Sequence, residues 1–387
     1  MRSFNGKITV ICGEYSGEIH AANLINRLSK LIRLEYHAVG GNLLEKQGAK
    51  LIYDYRLISV TGLTEVLIKS IDIIKAYQKV KYHLEKDEPS LLILVDYPGF
   101  NLKIAKKAKE RGIPVVYYIP PQVWAWGKRR IKYIKAYVDL VICFLPFEKK
   151  IYDFHSIRNK FVGHPYVKTV KPLYERNRFF EEFRVPHGCS IIAILPGSRE
   201  NEVKRHMPEL CKVMERIEGM VDNPFFLIAQ APGISTGQIG PYLRSTDNVR
   251  IVKGLSHDVL CHSDCAILAS GSATLEAAIL GTPSVVIYKL SPLSYLLGKY
   301  LVKIPNISLP NIILGEKIFA EFIQKLDPER IAVVVKDMLR DKKRNMKIVS
   351  AKLIDLLGGP SVDAYENAAI EVLYFLREIY GFVPEAA

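Results

Sequence analysis

Asp96 is the residue that its sequence surroundings best suit to act as a general base. It follows Leu91–Val95, an unbroken apolar run typical of a parallel strand covered on both faces. Ligands of open parallel sheets bind beyond the carboxyl ends of the strands, where this carboxylate is expected. A carboxylate there can accept a hydroxyl proton within hydrogen-bond reach. The alternative use, capping of a helix predicted over Leu102–Arg111, is compatible with this one.

A second group of residues could bind phosphate. Ile191–Leu195 is predicted to be a buried strand, Pro196-Gly197 ends it, and an amphipathic helix follows with Ser198 as its expected N-cap. Such a turn directs backbone N–H groups and the positive helix end to one point, which suits an anion. Arg199 adds a guanidinium that can hold two phosphate oxygens. An ordinary strand–helix unit with a surface arginine is the alternative.

The segment from Ser270 to Glu276 predicts another anion-binding turn between a strand and a helix. Its small residues allow a phosphate or sugar to approach the backbone amides, and Glu276 could accept hydrogen bonds from ribose hydroxyls. The residues of this candidate are Ser270, Gly271, Ser272, Thr274 and Glu276. Capping of the helix by Thr274 or Glu276 is the alternative.

Two loops of the N-terminal half could also contact a ligand. Gly13 and Gly17 bound a loop after the strand Lys7–Cys12 and permit close approach, but their spacing is not that of a dinucleotide site. Trp124 and Trp126 share one loop, where their large aromatic area suits a groove or a ligand wall. Basic residues follow them, yet no known nucleic-acid-binding motif accompanies these residues.

The composition indicates an intracellular protein with an anionic partner. The 387 residues include 54 Lys and Arg against 40 Asp and Glu, so the formal net charge is 54 − 40 = +14. Nucleic acid, acidic lipid or a phosphorylated substrate would suit this charge. Six scattered cysteines without a CxxC pair favour buried thiols in the cytosol over disulfides or zinc. Neither a signal peptide nor a membrane-spanning segment is predicted.

The elements that would position these residues alternate between strand and helix in two successive halves. This predicts an α/β protein with two Rossmann-like domains facing a ligand-binding cleft. The charged, proline-flanked segment 171–186 is the expected connection. We therefore expect one domain over residues 1–170 and another over residues 171–361.

Two stretches could contact a membrane surface. Thr64–Glu85 predicts one or two helices with a broad apolar face and flanking lysines, and Leu290–Leu314 is apolar with Lys299 and Lys303 as its charged residues. A basic amphipathic helix can lie on an anionic bilayer. Packing against the protein's own core is the commoner use of such a face.

Taken together, these segments resemble the lipid-A-disaccharide synthase family of inverting glycosyltransferases, which have the two-domain GT-B fold. The resemblance covers most of the chain, in the family's order. The motifs that carry it are Gly13-Glu14-x-Ser16-Gly17, Asp96-x-Pro98-x-Phe100-Asn101, Val123-Trp124-Ala125-Trp126, Leu145-Pro146-Phe147-Glu148, Val162-Gly163-His164-Pro165, Leu195-Pro196-Gly197-Ser198-Arg199, Ala269-Ser270-Gly271-x-Ala273-Thr274-Leu275-Glu276, Gly281-Thr282-Pro283 and Ser308-Leu309-Pro310-Asn311.

The resemblance implies transfer of 2,3-diacylglucosamine from UDP to the 6-hydroxyl of 2,3-diacylglucosamine 1-phosphate, with Asp96 as the base. The implied donor residues are Gly197, Ser198, Arg199, Ser270, Gly271, Ser272, Thr274, Glu276, Asn311, Glu321 and Gln324. The implied acceptor residues are Gly13, Ser16, Gly17, Asn101, Trp124 and Trp126. No Asp-x-Asp pair occurs in the sequence, so we expect no catalytic metal, and the family implies no cofactor.

The family further implies a cytoplasmic protein bound peripherally to the anionic inner membrane, without a nucleic-acid partner. Homodimers occur in it, and its final helix, here within residues 362–387, crosses back to the N-terminal domain. Glu18 replaces the usual aspartate, Gly99 replaces a frequent acidic residue, and Pro120-Pro121-Gln122 replaces Ser-Pro-Ser. These departures alter the expected acceptor pocket.

Two other functions are open to this sequence. The first is a different GT-B transferase that moves a UDP-sugar to a polyprenyl lipid, which would accept donors without acyl chains. The second is a non-catalytic, basic membrane-binding module, whose binding would weaken steeply with salt and would not need Asp96.

Overall fold

A computed structural model of the protein describes residues 4–58, 70–124, 127, 129–243, 247–291, 295, 305–341 and 344–381. The chain divides into two compact units, Met1–Pro165 with Val362–Ala387, and Tyr166–Ser361. The first boundary therefore lies at Pro165 rather than at residue 170. The predicted connection over 171–186 is no simple linker, because it contains the helix Arg176–Glu182, whose Phe179 and Phe180 are buried in the second unit.

The N-terminal unit is built on a parallel sheet of seven described strands in the order β3-β2-β1-β4-β5-β6-β7. The strands are β1 (Lys7–Cys12), β2 (Glu35–Gly40), β3 (Lys50–Asp54), β4 (Leu91–Val95), β5 (Val115–Tyr118), β6 (Leu140–Cys143) and β7 (Asn159–Phe161). The helices are α1 (Tyr15–Leu28), α2 (Asn42–Lys46), α3 (Ser70–Lys86), α4 (Pro98–Glu110), α5 (Arg130–Tyr137) and α6 (Pro146–Phe154). Strand order reverses where β1 lies beside β4, which is where open sheets of this kind bind ligands.

The C-terminal unit repeats this plan with six described strands in the order β10-β9-β8-β11-β12-β13. The strands are β8 (Ser190–Leu195), β9 (Pro224–Gln230), β10 (Val249–Lys253), β11 (Cys265–Ala269), β12 (Ser284–Tyr288) and β13 (Ala320–Ile323). The helices are α7 (Tyr166–Thr169), α8 (Arg176–Glu182), α9 (Glu200–Glu218), α10 (Ser256–His262), α11 (Ser272–Ile279), α12 (Leu309–Leu314), α13 (Pro328–Asp341) and α14 (Arg344–Leu356). The order reverses between β8 and β11.

Strand β8 shows why an unbroken apolar run suits such a sheet. Ile191, Ala193 and Leu195 pack into the hydrophobic cluster on one face, while Ile192 and Ile194 pack into the cluster on the other. Because both faces of the strand are covered by apolar side chains, none of these positions meets water and each can be apolar. The prediction of a doubly covered parallel strand is confirmed.

The last helix, α15 (Ala364–Tyr380), packs on the N-terminal unit, as predicted. Arg27 of α1 donates a hydrogen bond to Asp363, the N-cap of α15, at 3.0 Å. Tyr380, at the other end of the helix, donates its hydroxyl to the carbonyl of Ser90 at 2.8 Å. The C-terminal segment is thereby part of the first unit's core.

The two apolar stretches lie partly outside the described residues. Within 64–85, residues 64–69 are outside and α3 begins at Ser70; within 290–314, residues 292–294 and 296–304 are outside. None of the described helices is long and apolar enough to cross a bilayer.

Replacing Leu376 by alanine should lower the free energy of unfolding by about 2–5 kcal/mol, because its fully buried side chain would leave a cavity under α15. Tyr374→Ala is the control, since Tyr374 lies on the same helix and is 55 % exposed; its cost should stay within about 0.5 kcal/mol. Urea titration followed by circular dichroism measures both. Equal losses would contradict the packing of α15 on the first unit.

Candidate functional site

Asp96 lies at the carboxyl edge of the N-terminal sheet, directly after β4, with a half-buried side chain. Its φ is 44° and that of Tyr97 is 46°, so two successive non-glycine residues adopt the left-handed conformation. Tyr97, not Asp96, is the N-cap of α4, and it makes no side-chain cap. The predicted start of that helix, Leu102, is four residues late, since α4 begins at Pro98. Strained backbone of this kind concentrates at functional sites.

Two side chains hold the Asp96 backbone in this conformation. Asn101 donates through its amide Nδ2 to the carbonyl oxygens of Asp96 at 2.7 Å and Val95 at 3.2 Å. The hydroxyl of Tyr117 donates to the same Asp96 carbonyl at 2.7 Å. Asn101, expected at the acceptor site, is completely buried, so its place in the structure is behind Asp96.

Gly13 lies beside the turn because Cys12 of β1 is paired with Val95 of β4. A Cβ atom on Gly13 would lie 2.1 Å from Cγ of Tyr97, so glycine alone permits the tyrosine ring to pack there. The ring is also anchored by its hydroxyl, which donates to the carbonyl of Ile58 at 2.8 Å. Gly13 thus fixes the turn that carries Asp96.

The other residues of the first loop differ in accessibility. Ser16 is exposed, and its hydroxyl donates to Oε1 of Glu14 at 2.5 Å. Gly17 is buried in α1, where an added Cβ would meet Cys12 at an ordinary 3.5 Å. Of Gly13, Ser16 and Gly17, the three residues predicted to contact the acceptor, Ser16 is therefore the one that is exposed to solvent.

Glu18, which replaces the family's aspartate, stabilises the start of helix α2. One of its carboxylate oxygens accepts hydrogen bonds from the backbone N–H groups of Gly41 and Leu43 at 2.8 Å and of Leu44 at 3.2 Å. These amides form the N-terminus of α2, which favours a negative charge.

Trp124 is half-buried in the loop after β5, and Trp126 lies outside the described residues. The indole Nε1–H of Trp124 donates to Oε1 of Glu148 at 3.3 Å. Its ring meets Phe147 edge-on, with ring centroids 5.1 Å apart. Two residues of the first turn of α6 therefore hold this indole.

In the C-terminal unit, the turn after β8 is organised by Glu202. Gly197 has a φ of 127°, and a Cβ on it would lie 2.7 Å from that of Glu202. The Glu202 carboxylate accepts the N–H of Ser198 at 3.1 Å and lies 3.5 Å from the guanidinium of Arg199. The prediction that Ser198 caps the helix is wrong, because Arg199 is the N-cap residue of α9 and makes no side-chain cap. Both Ser198 and Arg199 are exposed.

His206 connects this turn to the end of β12. Its Nδ1–H donates to the carbonyl of Pro196 at 2.7 Å, and its Nε2 accepts the N–H of Lys289 at 3.0 Å. Burial lowers the pKa of His206, which agrees with a neutral ring that donates on one side and accepts on the other.

The second predicted turn lies beside the first, since β8 and β11 pair at Leu195 and Leu268. Ser270 donates its hydroxyl to the carbonyl of Ile307 at 2.9 Å. Thr274 is completely buried; its hydroxyl donates to the carbonyl of Gly271 at 2.7 Å and accepts the N–H of Leu309 at 3.2 Å. Gly271 and Ser272 are exposed at the start of α11, so this helix end is open to a ligand.

Glu276, one turn further along α11, is paired with a histidine that sequence reasoning missed. His257 Nε2 lies 3.4 Å from Oε2 of Glu276. The hydrogen bond to Glu276 is the largest of the influences that raise the pKa of His257, while burial opposes it. The pair lies on α10 and α11, and no motif connects these two positions in sequence.

Asn311 and Glu321 share one hydrogen-bond network, and Gln324 binds a different backbone segment. Asn311 is completely buried. Its Nδ2 group donates hydrogen bonds to the carbonyl of Phe319 and to Oε1 of Glu321, and its Oδ1 accepts hydrogen bonds from the N–H groups of Ile318 and Phe319. Glu321 also accepts from the backbone of Ile307 and Ser308, and Gln324 exchanges two hydrogen bonds with the backbone of Leu290. These side chains hold the segments next to the α11 turn in place.

Nowhere in the described part of the chain do three or more His, Cys, Asp or Glu side chains come together in a way that could hold a metal ion. Besides His257, sequence reasoning missed Tyr117 and His206. Tyr117 interrupts the apolar run of β5, and His206 interrupts the apolar face of α9. A polar side chain in a buried pattern is the feature of the sequence that could have indicated these two residues.

Two successive Rossmann-like units are the architecture of the GT-B fold. A family model described as lipid-A-disaccharide synthetase matches residues 8–372. A lipid-A-disaccharide synthase of Nitrosococcus oceani is 41% identical over 340 residues, 87% of this chain and 88% of the relative. That of Syntrophus aciditrophicus is 36% identical over 377 residues, 96% and 98% of the two chains.

A solved structure described as the S. aureus MnaA–UDP co-structure has the same fold, with a TM-score of 0.60, 14% identity and 98% coverage of each chain. The match of the family model over most of the chain decides the family. The chain belongs to the lipid-A-disaccharide synthetase family.

Gly13→Ala should lower the free energy of unfolding by about 1–3 kcal/mol, because the added methyl group would overlap the Tyr97 ring and overpack the turn. Gly99→Ala is a matched control: nothing lies within 4 Å of its added Cβ, and its expected effect stays within about 0.5 kcal/mol. Thermal and urea unfolding of both variants measure the difference. Equal effects would contradict the close packing of Tyr97 on Gly13.

Glu276→Gln should lower the pKa of His257, since the charged partner that raises it is removed. Because the folded-state pKa exceeds the unfolded value, the pair stabilises the protein fully below about pH 6.5 and loses this effect as pH rises through the folded pKa. NMR titration of the His257 imidazole measures the shift. Glu182→Gln, at an exposed position on α8, is the control and should leave it unchanged.

Proposed function

We propose that this protein is an inverting glycosyltransferase that joins two acylated glucosamine units. The donor is UDP-2,3-diacylglucosamine, and the acceptor is 2,3-diacylglucosamine 1-phosphate, attacked through its 6-hydroxyl. The products are the β-1′,6-linked disaccharide 1-phosphate and UDP. The observation that carries the proposal is the family match over residues 8–372, which contains Asp96 and both turns of the C-terminal unit.

In this proposal Asp96 removes the proton of the acceptor hydroxyl as that oxygen attacks the anomeric carbon. Inversion needs the base on the face opposite the departing UDP, and a base at that point lowers the barrier through proton transfer. The backbone clamp from Asn101 and Tyr117 supports this role, because a general base must keep a fixed position relative to the hydroxyl.

The C-terminal unit binds the donor in this proposal. The diphosphate meets the turns after β8 and β11 in this proposal. Exposed Gly271 and Ser272 lie at the N-terminus of α11, and exposed Ser198 offers its hydroxyl, since its N–H is bound by Glu202. Arg199 stabilises the charge that develops on UDP as it leaves, and Glu276 accepts the ribose hydroxyls. The UDP bound by S. aureus MnaA, which has a similar fold, supports a nucleotide in a unit of this kind. Asn311, Glu321 and Gln324 contribute indirectly in this proposal, because they hold the backbone segments next to the β11 turn in place.

A cavity lined by Tyr97, the residue after Asp96, supports an acylated acceptor. Its volume is about 710 Å³, and it lies between α3 and the start of α4. The lining residues are Ile73, Ile74, Tyr77, Gln78, Lys81, Tyr97, Gly99, Phe100 and Lys103. Gly99 puts no carboxylate here, in contrast to the family's frequent acidic residue, so the apolar wall suits an acyl chain and the lysines suit a phosphate.

Peripheral binding to the anionic cytoplasmic face of the inner membrane is part of the proposal, since both substrates carry acyl chains. Helix α3 supports it: Ile71, Ile74 and Tyr82 are exposed, and Lys75 and Lys79 are exposed on the same helix. Apolar side chains together with lysines attach a helix to an anionic bilayer surface.

Asp96→Asn should lower kcat for disaccharide formation by about 10²–10⁴-fold, because asparagine cannot accept the hydroxyl proton. UDP affinity should change by less than about twofold, since the nucleotide is assigned to the other unit. Mass spectrometry of UDP and disaccharide, with calorimetry of UDP binding, measures both. Asp222→Asn, at an exposed position away from both sites, is the control.

Near-normal turnover by a folded Asp96→Asn protein would exclude Asp96 as the base. Turnover of a UDP-sugar without acyl chains onto a polyprenyl phosphate, in place of the acylated pair, would instead identify the alternative GT-B transferase.

A further inference from the structure

A buried carboxyl group lies in the first turn of α6. Glu148 is 4 % exposed, and no cation in the described part of the chain forms an ion pair with it. Its hydrogen bonds come from neutral groups, namely the Trp124 indole at 3.3 Å and the backbone at Leu145. Burial outweighs both bonds and raises the pKa of Glu148 to about 8, so the group is largely protonated at neutral pH.

The position of this group relates it to the acceptor side of the site. Val95, the last residue of β4, is paired with Tyr118 of β5, and Tyr118 is paired with Ile142 of β6. The chain leaves these three neighbouring strands at the same edge of the sheet. Asp96, the Trp124 loop and Glu148 follow them in that order, so the carboxyl and the indole belong to the edge that carries Asp96.

We propose that Glu148 is a positioning residue that fixes the Trp124 indole as a wall of the acceptor site. The inference rests on the proposed function, in which the acceptor binds to the N-terminal unit. Phe147 supports the ring at its edge, and the Glu148 carboxyl fixes its rotation about Cβ through the Nε1–H bond. The half-buried indole then presents its remaining surface to a sugar ring or acyl chain.

The protonation state of Glu148 gives this contact a spectroscopic signature. Loss of the proton leaves a buried charge without a cationic partner, a costly state that hydration or a shift of the neighbouring indole relieves. Among the described residues, the titratable groups whose pKa values respond to Glu148 are Cys143 on β6 and Tyr152 on α6, and burial raises the pKa of each well above its ordinary value. A transition near pH 8 therefore reports on Glu148.

The first experiment follows Trp124 fluorescence in a Trp126→Phe background, in which Trp124 is the single tryptophan of the chain. Emission should change with a midpoint near pH 8 and should be independent of pH in the same range once Glu148→Gln is added. Glutamine keeps an oxygen that accepts the indole hydrogen bond but has no proton to lose. A flat titration of the Trp126→Phe protein, or a transition that survives Glu148→Gln, would overturn the inference.

The second experiment separates positioning from general damage. With Trp126 intact, Glu148→Leu should raise the KM for the monosaccharide phosphate about tenfold, because the indole loses its hydrogen-bond partner. The UDP dissociation constant should remain within about twofold of the wild-type value, and Glu148→Gln should restore the acceptor KM. An unchanged acceptor KM in Glu148→Leu, or equal weakening of UDP and acceptor, would overturn the positioning role.

The outcomes distinguish this inference from the proposed function. If the wild-type protein forms no disaccharide from the acylated pair, the proposed function falls. If it forms the disaccharide and Glu148→Leu leaves the acceptor KM unaltered, the positioning role alone falls. Should Glu148→Leu fail to fold, the comparison of fluorescence titrations between the Trp126→Phe protein and the same protein with Glu148→Gln decides whether Glu148 positions the indole.

Discussion

The left-handed backbone at Asp96 and Tyr97 is the constraint on which the N-terminal site depends. Each such residue costs about 1–3 kcal/mol, while a hydrogen bond contributes a net of about 0.5–1.5 kcal/mol. The bonds from Asn101 and Tyr117 are therefore of the size needed to offset the strain at Asp96, and Tyr97 is held separately by its packing on Gly13. Both bonds go to the backbone carbonyl of Asp96. They fix where the residue lies through its backbone.

The C-terminal unit uses buried polar side chains in the same indirect way. His206 ties the β8 turn to β12 through both ring nitrogens, and Asn311 spends its whole hydrogen-bonding capacity on neighbouring backbone and Glu321. Fully satisfied networks of this kind rigidify the segments that they connect. The groups exposed to solvent at these turns are Gly271 and Ser272 at the start of α11, and Arg199, whose guanidinium lies 3.5 Å from Glu202. An anion can use these without disturbing the scaffold.

Local sequence patterns were enough to predict the strand–turn–helix units, because few other local structures are compatible with an apolar run, a glycine turn and an amphipathic pattern in succession. The same patterns could not say which side chain satisfies a given amide. Ser198 and Glu202 both lie within reach of the β8 turn, and the actual geometry favours Glu202. Phe179 and Phe180 were hidden in a charged segment that looked like a linker. The pairs Glu276–His257 and Glu148–Trp124 form between separate elements, so they depend on tertiary packing that no single stretch of sequence contains.

Two carboxyl groups of this protein have partners of different kinds. Glu276 faces His257, and the hydrogen bond between them raises the pKa of the histidine. Glu148 faces neutral donors, so burial favours its protonated form. In the proposed function a phosphate-bearing acceptor binds at this edge of the sheet, and a charged Glu148 would repel it strongly in a partly dehydrated site. A neutral Glu148 accepts the indole hydrogen bond without this repulsion, so an acid at this position is compatible with the proposed binding of an anionic sugar.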